Sequence, residues 1–136
     1  MSTRSTIAIK QDDGKYRAIY CHWDGYLENN GRILVNNYKT ADRVNALLDL
    51  GDLSSLGKEP IGYWTDEIDT DETKCMSYRE RGEDKVDAII FDNREDIMNY
   101  YSDTEYNYFF EDGEWYYLPH KTGQPIKVID ALDKKI

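Results

Sequence analysis

The chain has 136 residues, 40% of them hydrophobic, and a formal net charge of −10, which predicts one domain over residues 1–136 with a core of its own. The charge is uneven, because residues 66–114 carry 17 acidic and five basic side chains while the rest of the chain carries 10 acidic and 12 basic ones. A protein with this field repels nucleic acid and membrane lipid, so neither is an expected partner, and it attracts basic protein surfaces.

The first predicted element is a β-hairpin. Residues 6–10 and 15–21 alternate between apolar and polar side chains, and the turn between them ends in Gly14, which tolerates a positive φ angle. Two helices are predicted next from apolar residues at helical spacing, one over about 29–38 and one over 41–50, between an N-cap at Thr40 and a stop at Gly51.

The middle of the chain predicts shorter elements. In chain order these are a turn at 52–57, an extended piece around 63–64, an acidic loop at 66–73 and a weak strand at 74–79. The short apolar run 87–91 then precedes Asn93, which is placed to cap a helix from Arg94 to about Tyr101.

A second hairpin lies near the end of the chain. Residues 106–110 and 114–118 flank Glu111, Asp112 and Gly113, which form the strongest turn signal in the sequence. Residues 126–132 fit either an edge strand or a terminal helix. This order of elements predicts an α+β fold, with a single antiparallel sheet of two hairpins plus one or two further strands and two or three helices packed on one face.

The cysteines and the N-terminus indicate a compartment. The chain contains no run of about 18 apolar residues, and its first residues lack the apolar core of a signal peptide. We therefore expect a cytoplasmic protein. In that compartment Cys21 and Cys75 are expected to be reduced thiols rather than a disulfide.

The densest group of reactive side chains is Cys21, His22 and Asp24. These types can supply a thiolate nucleophile with a base, as in a small hydrolase, or a set of metal ligands. Neighbouring strand residues point to opposite faces, however, and the paired ligand spacing of a zinc site is missing. We expect no metal, no cofactor and no catalytic residue here, with the hydrolase kept as a third hypothesis.

Aromatic and acidic residues together predict a surface for a protein partner. Tyrosine and tryptophan are enriched in interfaces, and acidic rims steer basic partners; an alternative is that the outward rings are merely exposed or lie in a homodimer interface. The predicted partner-binding residues are Asp66, Glu67, Asp69, Asp71, Glu72, Asp92, Glu95, Asp96, Tyr106, Tyr108, Glu111, Asp112, Trp115 and Tyr117.

A pocket for a small ligand is the second hypothesis. An aromatic floor with a few polar groups and arginines suits a nucleotide or a related signalling molecule. The residues predicted to line this pocket are Tyr20, His22, Trp23, Asp24, Arg79 and Arg81.

Four segments carry a resemblance to known proteins, together with the start of the chain at 2–6. They are 20–26 (Tyr-Cys-His-Trp-Asp-Gly-Tyr), 51–57 (Gly-Asp-Leu-Ser-Ser-Leu-Gly), 78–83 (Tyr-Arg-Glu-Arg-Gly-Glu) and 110–116 (Phe-Glu-Asp-Gly-Glu-Trp-Tyr). On these segments the chain resembles a group of small phage, prophage and plasmid proteins. The resemblance implies a mobile-element setting, in which proteins often antagonise host defence, and it implies no catalytic activity.

These observations favour a non-enzymatic protein of a phage or mobile element that binds and inhibits a basic host protein. A nucleic-acid-binding defence factor, such as a CRISPR nuclease or a restriction enzyme, is the expected target, because rows of carboxylates can take the place of phosphates. The small-ligand binder and the hydrolase remain the alternatives.

Overall fold

A computed structural model describes residues 3–66, 73–119 and 124–133. In these ranges nine strands form one mixed sheet, in the order β4-β5-β3-β2-β1-β7-β8-β9, with β6 beside part of β2. The strands are β1 (Ser5–Lys10), β2 (Tyr16–Cys21), β3 (Leu53–Ser55), β4 (Gly62–Tyr63), β5 (Cys75–Ser77), β6 (Ile89–Phe91), β7 (Tyr106–Glu111), β8 (Glu114–Pro119) and β9 (Ile126–Lys127).

Four α-helices connect or follow these strands. They are α1 (Arg32–Asn37), which continues a π-helical turn at Leu27–Gly31, then α2 (Ala41–Leu48), α3 (Arg94–Tyr100) and α4 (Val128–Asp133). Two caps predicted from the sequence are confirmed, because the Thr40 side chain accepts a hydrogen bond from the Arg43 N–H and the Asn93 side chain accepts one from the Asp96 N–H. None of the described helices is long and apolar enough to span a membrane.

The predicted antiparallel sheet is wrong. Both hairpins form as expected, but β1 pairs with β7 in parallel, as do β2 with β3 and β4 with β5. The hairpins are joined side by side through their first strands, because the intervening chain crosses over as helices and short strands. The turn predicted at 52–57 is instead the site of β3, and 126–132 forms both a short strand and a helix.

Helices cover both faces of the sheet, and not one face as predicted. One face carries Ile7, Ile19 and Tyr108, which pack with residues of α1, α2 and α4. The other carries Ala8, Ala18 and Phe109, which pack with Ile97 and Met98 of α3. The central strand β1 is therefore apolar on both sides, and every residue of Ser5–Lys10 except the last is buried.

Candidate functional site

One end of the sheet gathers carboxylates from three separate segments. Because β1 and β7 are parallel neighbours, the turn after Lys10 and the turn after Glu111 lie side by side. Asp12 and Asp13 of the first turn and Asp112 of the second line one shared groove of about 620 Å³.

Strand β6 adds the third acidic segment. Phe91 pairs with Tyr16, which is the residue that begins β2 just after the first turn. The chain that follows β6 therefore starts α3 at the same end, and Lys15 forms an ion pair with Asp92 at 3.8 Å. We call the exposed carboxylates Asp12, Asp13, Asp92, Glu95, Asp96 and Asp112 the acidic end of the sheet.

Sequence reasoning found only part of this group. Asp92, Glu95, Asp96 and Asp112 were predicted, whereas Asp12 and Asp13 were interpreted only as turn residues. The missing signal was the parallel pairing of β1 with β7, which nothing in the local sequence indicates.

Glu111, predicted as a partner contact, has a structural role instead. Its side chain is 7% exposed, and its two carboxylate oxygens accept hydrogen bonds from Arg94 Nε and Nη2 at 2.7 and 2.9 Å. The Arg94 guanidinium also lies over the rings of Tyr16 and Phe109. This pair joins α3 to β7, so Glu111 does not belong to the acidic end.

The predicted aromatic surface is wrong. Tyr108, Trp115 and Tyr117 are buried in the core, and Tyr106 is half-buried against it. The Tyr108 hydroxyl donates to the Gly25 carbonyl at 2.6 Å, and Trp115 Nε1 donates to the Tyr38 carbonyl at 2.8 Å. The rings face helices, since the sheet is covered on both sides.

The acidic loop predicted at 66–73 is described only at its two ends. Asp66 is exposed and accepts a hydrogen bond from Trp64 Nε1 at 2.9 Å. The predicted contacts Glu67, Asp69, Asp71 and Glu72 lie outside the described residues.

The six residues predicted to line a ligand pocket do not all line one groove, although Tyr20 contacts His22 and His22 contacts Trp23. The Tyr20 hydroxyl bonds to His22 Nδ1 at 2.8 Å, and the Tyr20 ring stacks on Tyr101. Arg79 forms an ion pair with Asp87, and Arg81 pairs with Glu83 while its guanidinium lies over Trp64 and Tyr78. Trp23 and Asp24 line a groove that is separate from the one at the acidic end and that includes none of the other four residues.

That second groove has a volume of about 750 Å³. It lies between the π-helical turn with α1 on one side and β3 with β5 on the other. Its lining residues are Trp23, Asp24, Glu28, Asn29, Arg32, Ile33, Asn36, Asn37, Ser54, Ser55, Leu56, Lys58, Lys74 and Met76. Three of these are basic and two acidic, so the groove is weakly positive on a strongly negative protein. We call it the basic groove.

Cys21 is not arranged as a nucleophile. It is fully buried, its Sγ accepts a hydrogen bond from Asn30 Nδ2 at 3.5 Å, and burial raises the pKa of its thiol to about 12. His22 is bonded to Tyr20 instead, and burial together with the nearby Arg4 charge lowers the pKa of its imidazole. A neutral thiol without an adjacent base lacks the activation that thiolate catalysis needs.

Across residues 3–66, 73–119 and 124–133, no three His, Cys, Asp or Glu side chains are arranged so that they could hold a metal ion. Comparisons with protein families, with curated proteins and with solved structures found no match to this chain. The two candidate sites therefore stand on their geometry alone, the acidic end as a surface for a cationic partner and the basic groove as a concave site.

Proposed function

We propose that this chain is a non-enzymatic protein of a phage or mobile element that binds and inhibits a basic host protein. The target is a nucleic-acid-binding defence factor, of the CRISPR nuclease or restriction enzyme class, and the encounter takes place in the host cytoplasm. The resemblance of four sequence segments to phage, prophage and plasmid proteins supports this setting. The acidic end of the sheet supplies the contact surface.

One observation carries the proposal. The parallel pairing of β1 with β7 sets two acidic turns side by side and leaves Asp12, Asp13 and Asp112 on one groove. Carboxylates gathered in this way repel one another, which costs folding free energy. Such a cost is expected where the charge serves a partner, and a basic protein that normally contacts phosphates is the matching partner.

The turns are rigid, which suits them to recognition. In the first, Gly14 N–H donates to the Gln11 carbonyl at 2.9 Å, and Lys15 N–H donates to Asp13 Oδ1 at 2.9 Å. In the second, Asp112 and Gly113 adopt positive φ angles of 52° and 78°, as a tight two-residue hairpin requires. Carboxylates held on such turns lose little conformational entropy on binding.

The test is an affinity capture from host lysate with three immobilised proteins, followed by mass spectrometry. The first is the natural chain. The second carries Asp12→Asn, Asp13→Asn, Asp92→Asn and Asp112→Asn at the acidic end. The third is a control with the same charge change at four other exposed positions, Glu80→Gln, Asp84→Asn, Glu105→Gln and Asp130→Asn.

We expect the natural chain and the control to capture the same nucleic-acid enzyme, and the acidic-end variant to lose it. Raised salt or competing duplex DNA should release the enzyme, because the contact is made of exposed charges. The purified enzyme should then be inhibited by the natural chain. Equal capture by all three proteins, or capture unaffected by salt, would show that the acidic end is not the contact.

A further inference from the structure

We infer that the basic groove binds a small anionic ligand that carries both a phosphate and a planar ring, which is the chemistry of a nucleotide. This site lies apart from the acidic end and does not depend on the proposed function. Three features carry the inference: a helical wall of polar side chains, three cations that form no salt bridge with any described residue, and an exposed aromatic ring.

The helical wall is formed by one face of the π-helical turn and α1. Residues 28, 32 and 36 form one ridge along this face, and residues 29, 33 and 37 form the adjacent ridge. The first ridge presents the side chains of Glu28, Arg32 and Asn36 to the groove. The second presents those of Asn29, Ile33 and Asn37, of which only Ile33 is apolar. A π-helical turn of this kind recurs at functional sites, because it widens the helix and redirects its side chains.

Three cations project from the groove walls. Arg32, Lys58 and Lys74 are exposed, and in the described ranges none of them forms a salt bridge. Every described arginine other than Arg32 is ion-paired, for example Arg43 with Glu59 at 2.8 Å and Arg17 with Asp49 at 2.6 Å. Four described lysines outside the groove, Lys10, Lys39, Lys85 and Lys127, also form no salt bridge. On a chain of net charge −10, three cations that line one groove and form no salt bridge within the described ranges are suited to an external anion.

The backbone holds the two lysines close together. Gly57, next to Lys58, approaches the Lys74 carbonyl so closely that a Cβ at Gly57 would lie 2.3 Å from that oxygen. The Gly57 N–H also donates to Cys75 Sγ at 3.2 Å, which fixes the end of β3 against the start of β5. The fold therefore places the backbones of Lys58 and Lys74 close together, and both residues line the groove, where one phosphate could contact both side chains.

Trp23 supplies the planar surface. Its side chain is 43% exposed, although it lies in an ordered segment in which Trp23 N–H donates to the Ser54 carbonyl at 2.9 Å. The His22 ring abuts it edge-on at 4.8 Å. An exposed indole on a fixed backbone is a stacking platform for a heteroaromatic ring.

The remaining polar groups suit the rest of such a ligand. Asn36 offers amide donors and an acceptor, while Asp24 offers carboxylate acceptors for ribose hydroxyls or a ring amino group. The volume of about 750 Å³ also falls within the range of small-molecule sites. A long nucleic acid is a poorer occupant, because the acidic surface beyond the groove repels its further phosphates.

The test is calorimetric titration of the full chain with ADP and GDP, with adenosine and inorganic phosphate as the two halves of the ligand. Amide chemical shifts of the ¹⁵N-labelled chain map the site. The groove variant is Lys58→Gln with Lys74→Gln. The control is Lys10→Gln with Lys39→Gln, which removes the same charge from exposed positions outside the groove. Equal unfolding midpoints of the two variants establish that both are folded.

We expect saturable binding of at least one nucleotide, weaker binding of adenosine and of phosphate, and shifts confined to the groove. The groove variant should bind that nucleotide at least about tenfold more weakly, since it loses charged hydrogen bonds, while the control binds as the natural chain does. Trp23→Ala should weaken the binding of the nucleotide but not the binding of phosphate. Trp23→Phe, which keeps an aromatic ring, should bind the nucleotide more tightly than Trp23→Ala does.

Three results would overturn the inference. One is the absence of binding by either nucleotide at millimolar concentration. Another is equal binding by the groove variant and the control. The third is tighter binding of a short oligonucleotide than of any mononucleotide, which would assign the groove to a polymer. None of these results bears on capture of a protein by the acidic end, so the two proposals fail separately.

Discussion

The Asp52 carboxylate accepts a hydrogen bond from the backbone N–H of Tyr20 at 2.9 Å. This bond fills a gap in the sheet, because the outer edge of β2 pairs with β6 at Tyr16 to Ala18 and with β3 only at Cys21. Asp52 is also held by its own backbone, whose N–H donates to the Val86 carbonyl at 2.7 Å. The Asp52 side chain thus pairs with the part of the β2 edge that lies between its contacts with β6 and with β3.

The burial of this carboxylate predicts an unusual dependence of stability on pH. Burial, opposed by the Tyr20 N–H, raises the pKa of Asp52 to about 6. The folded chain therefore holds this proton to a higher pH than the unfolded chain does, so the contribution of Asp52 is fully present below about pH 4 and is lost as pH rises through 6. We expect Asp52→Asn, which keeps the acceptor oxygen, to raise the free energy of unfolding at pH 7 by about 1 kcal/mol, after allowance for partial exposure.

Urea unfolding at pH 4, 5, 6 and 7 checks this prediction. Asp52→Ala should instead lower stability at every pH, because it leaves the Tyr20 N–H without its acceptor. Glu105→Gln, at an exposed position, is the control and should follow the natural chain. A fall in stability of Asp52→Asn at pH 7 would contradict the assignment.

Removal of only one partner of the ion pair between Arg94 and Glu111 should destabilise the folded chain. Arg94→Met leaves the buried Glu111 carboxylate without a counter-charge, so we expect a loss of about 2–3 kcal/mol in the free energy of unfolding. Arg94→Met combined with Glu111→Leu should recover most of that loss. Arg81→Met, which breaks the more exposed pair with Glu83, should cost less than about 1 kcal/mol. A double-mutant cycle without coupling would refute this account.

Gly57→Ala should destabilise the chain by about 2 kcal/mol or more, because the new Cβ overlaps the Lys74 carbonyl and forces β3 and β5 apart. Gly82→Ala is the matched control. Gly82 has a φ of +101° and no atom near its missing Cβ, so only backbone strain of about 1 kcal/mol is expected. Thermal unfolding of both variants measures the difference, and equal midpoints would count against close packing at Gly57.

Both cysteines should resist thiol reagents in the folded chain. Cys21 and Cys75 are buried and free, and burial raises the pKa of each thiol. Ellman's reagent should therefore react with neither at pH 8 on the timescale of mixing, and with both in concentrated urea. Rapid labelling of either thiol in buffer without urea would contradict the prediction, because it would show that this cysteine becomes exposed in the folded chain.

Local signals in the sequence predicted local structure well. The two hairpins and the caps at Thr40 and Asn93 depend on residues close to one another in the sequence, so local patterns are enough to predict them. Strand β3 was missed because it is only three residues long, between Gly51 and Gly57, and resembles a turn. The pairing of β1 with β7 depends on packing over the whole chain, and alternation identifies a strand without naming its neighbour.

In the candidate sites, too, the features that depend on distant parts of the chain were the ones that the sequence did not predict. The aromatic residues of β7 and β8 were expected to face outward on one side of the sheet, which holds only if one side is bare. Both sides are covered, because α1, α2 and α4 pack on the face that carries Tyr108 and Trp115, and α3 packs on the face that carries Phe109 and Leu118. The basic groove was missed except for Trp23 and Asp24, since its cations come from 32, 58 and 74, positions that no local motif connects.

The parallel pairing of β1 with β7 also governs how the chain can fold. The Thr6 hydroxyl and the Asn107 amide oxygen, bonded at 2.8 Å, are 101 residues apart. During synthesis β1 and β2 are complete early, yet one edge of β1 stays open until β7 has left the ribosome. Contacts of such range slow folding, and an open apolar strand edge favours aggregation in the meantime. A chain shortened before β7 would therefore keep its first hairpin and two helices but present the central strand of the sheet as an unpaired edge.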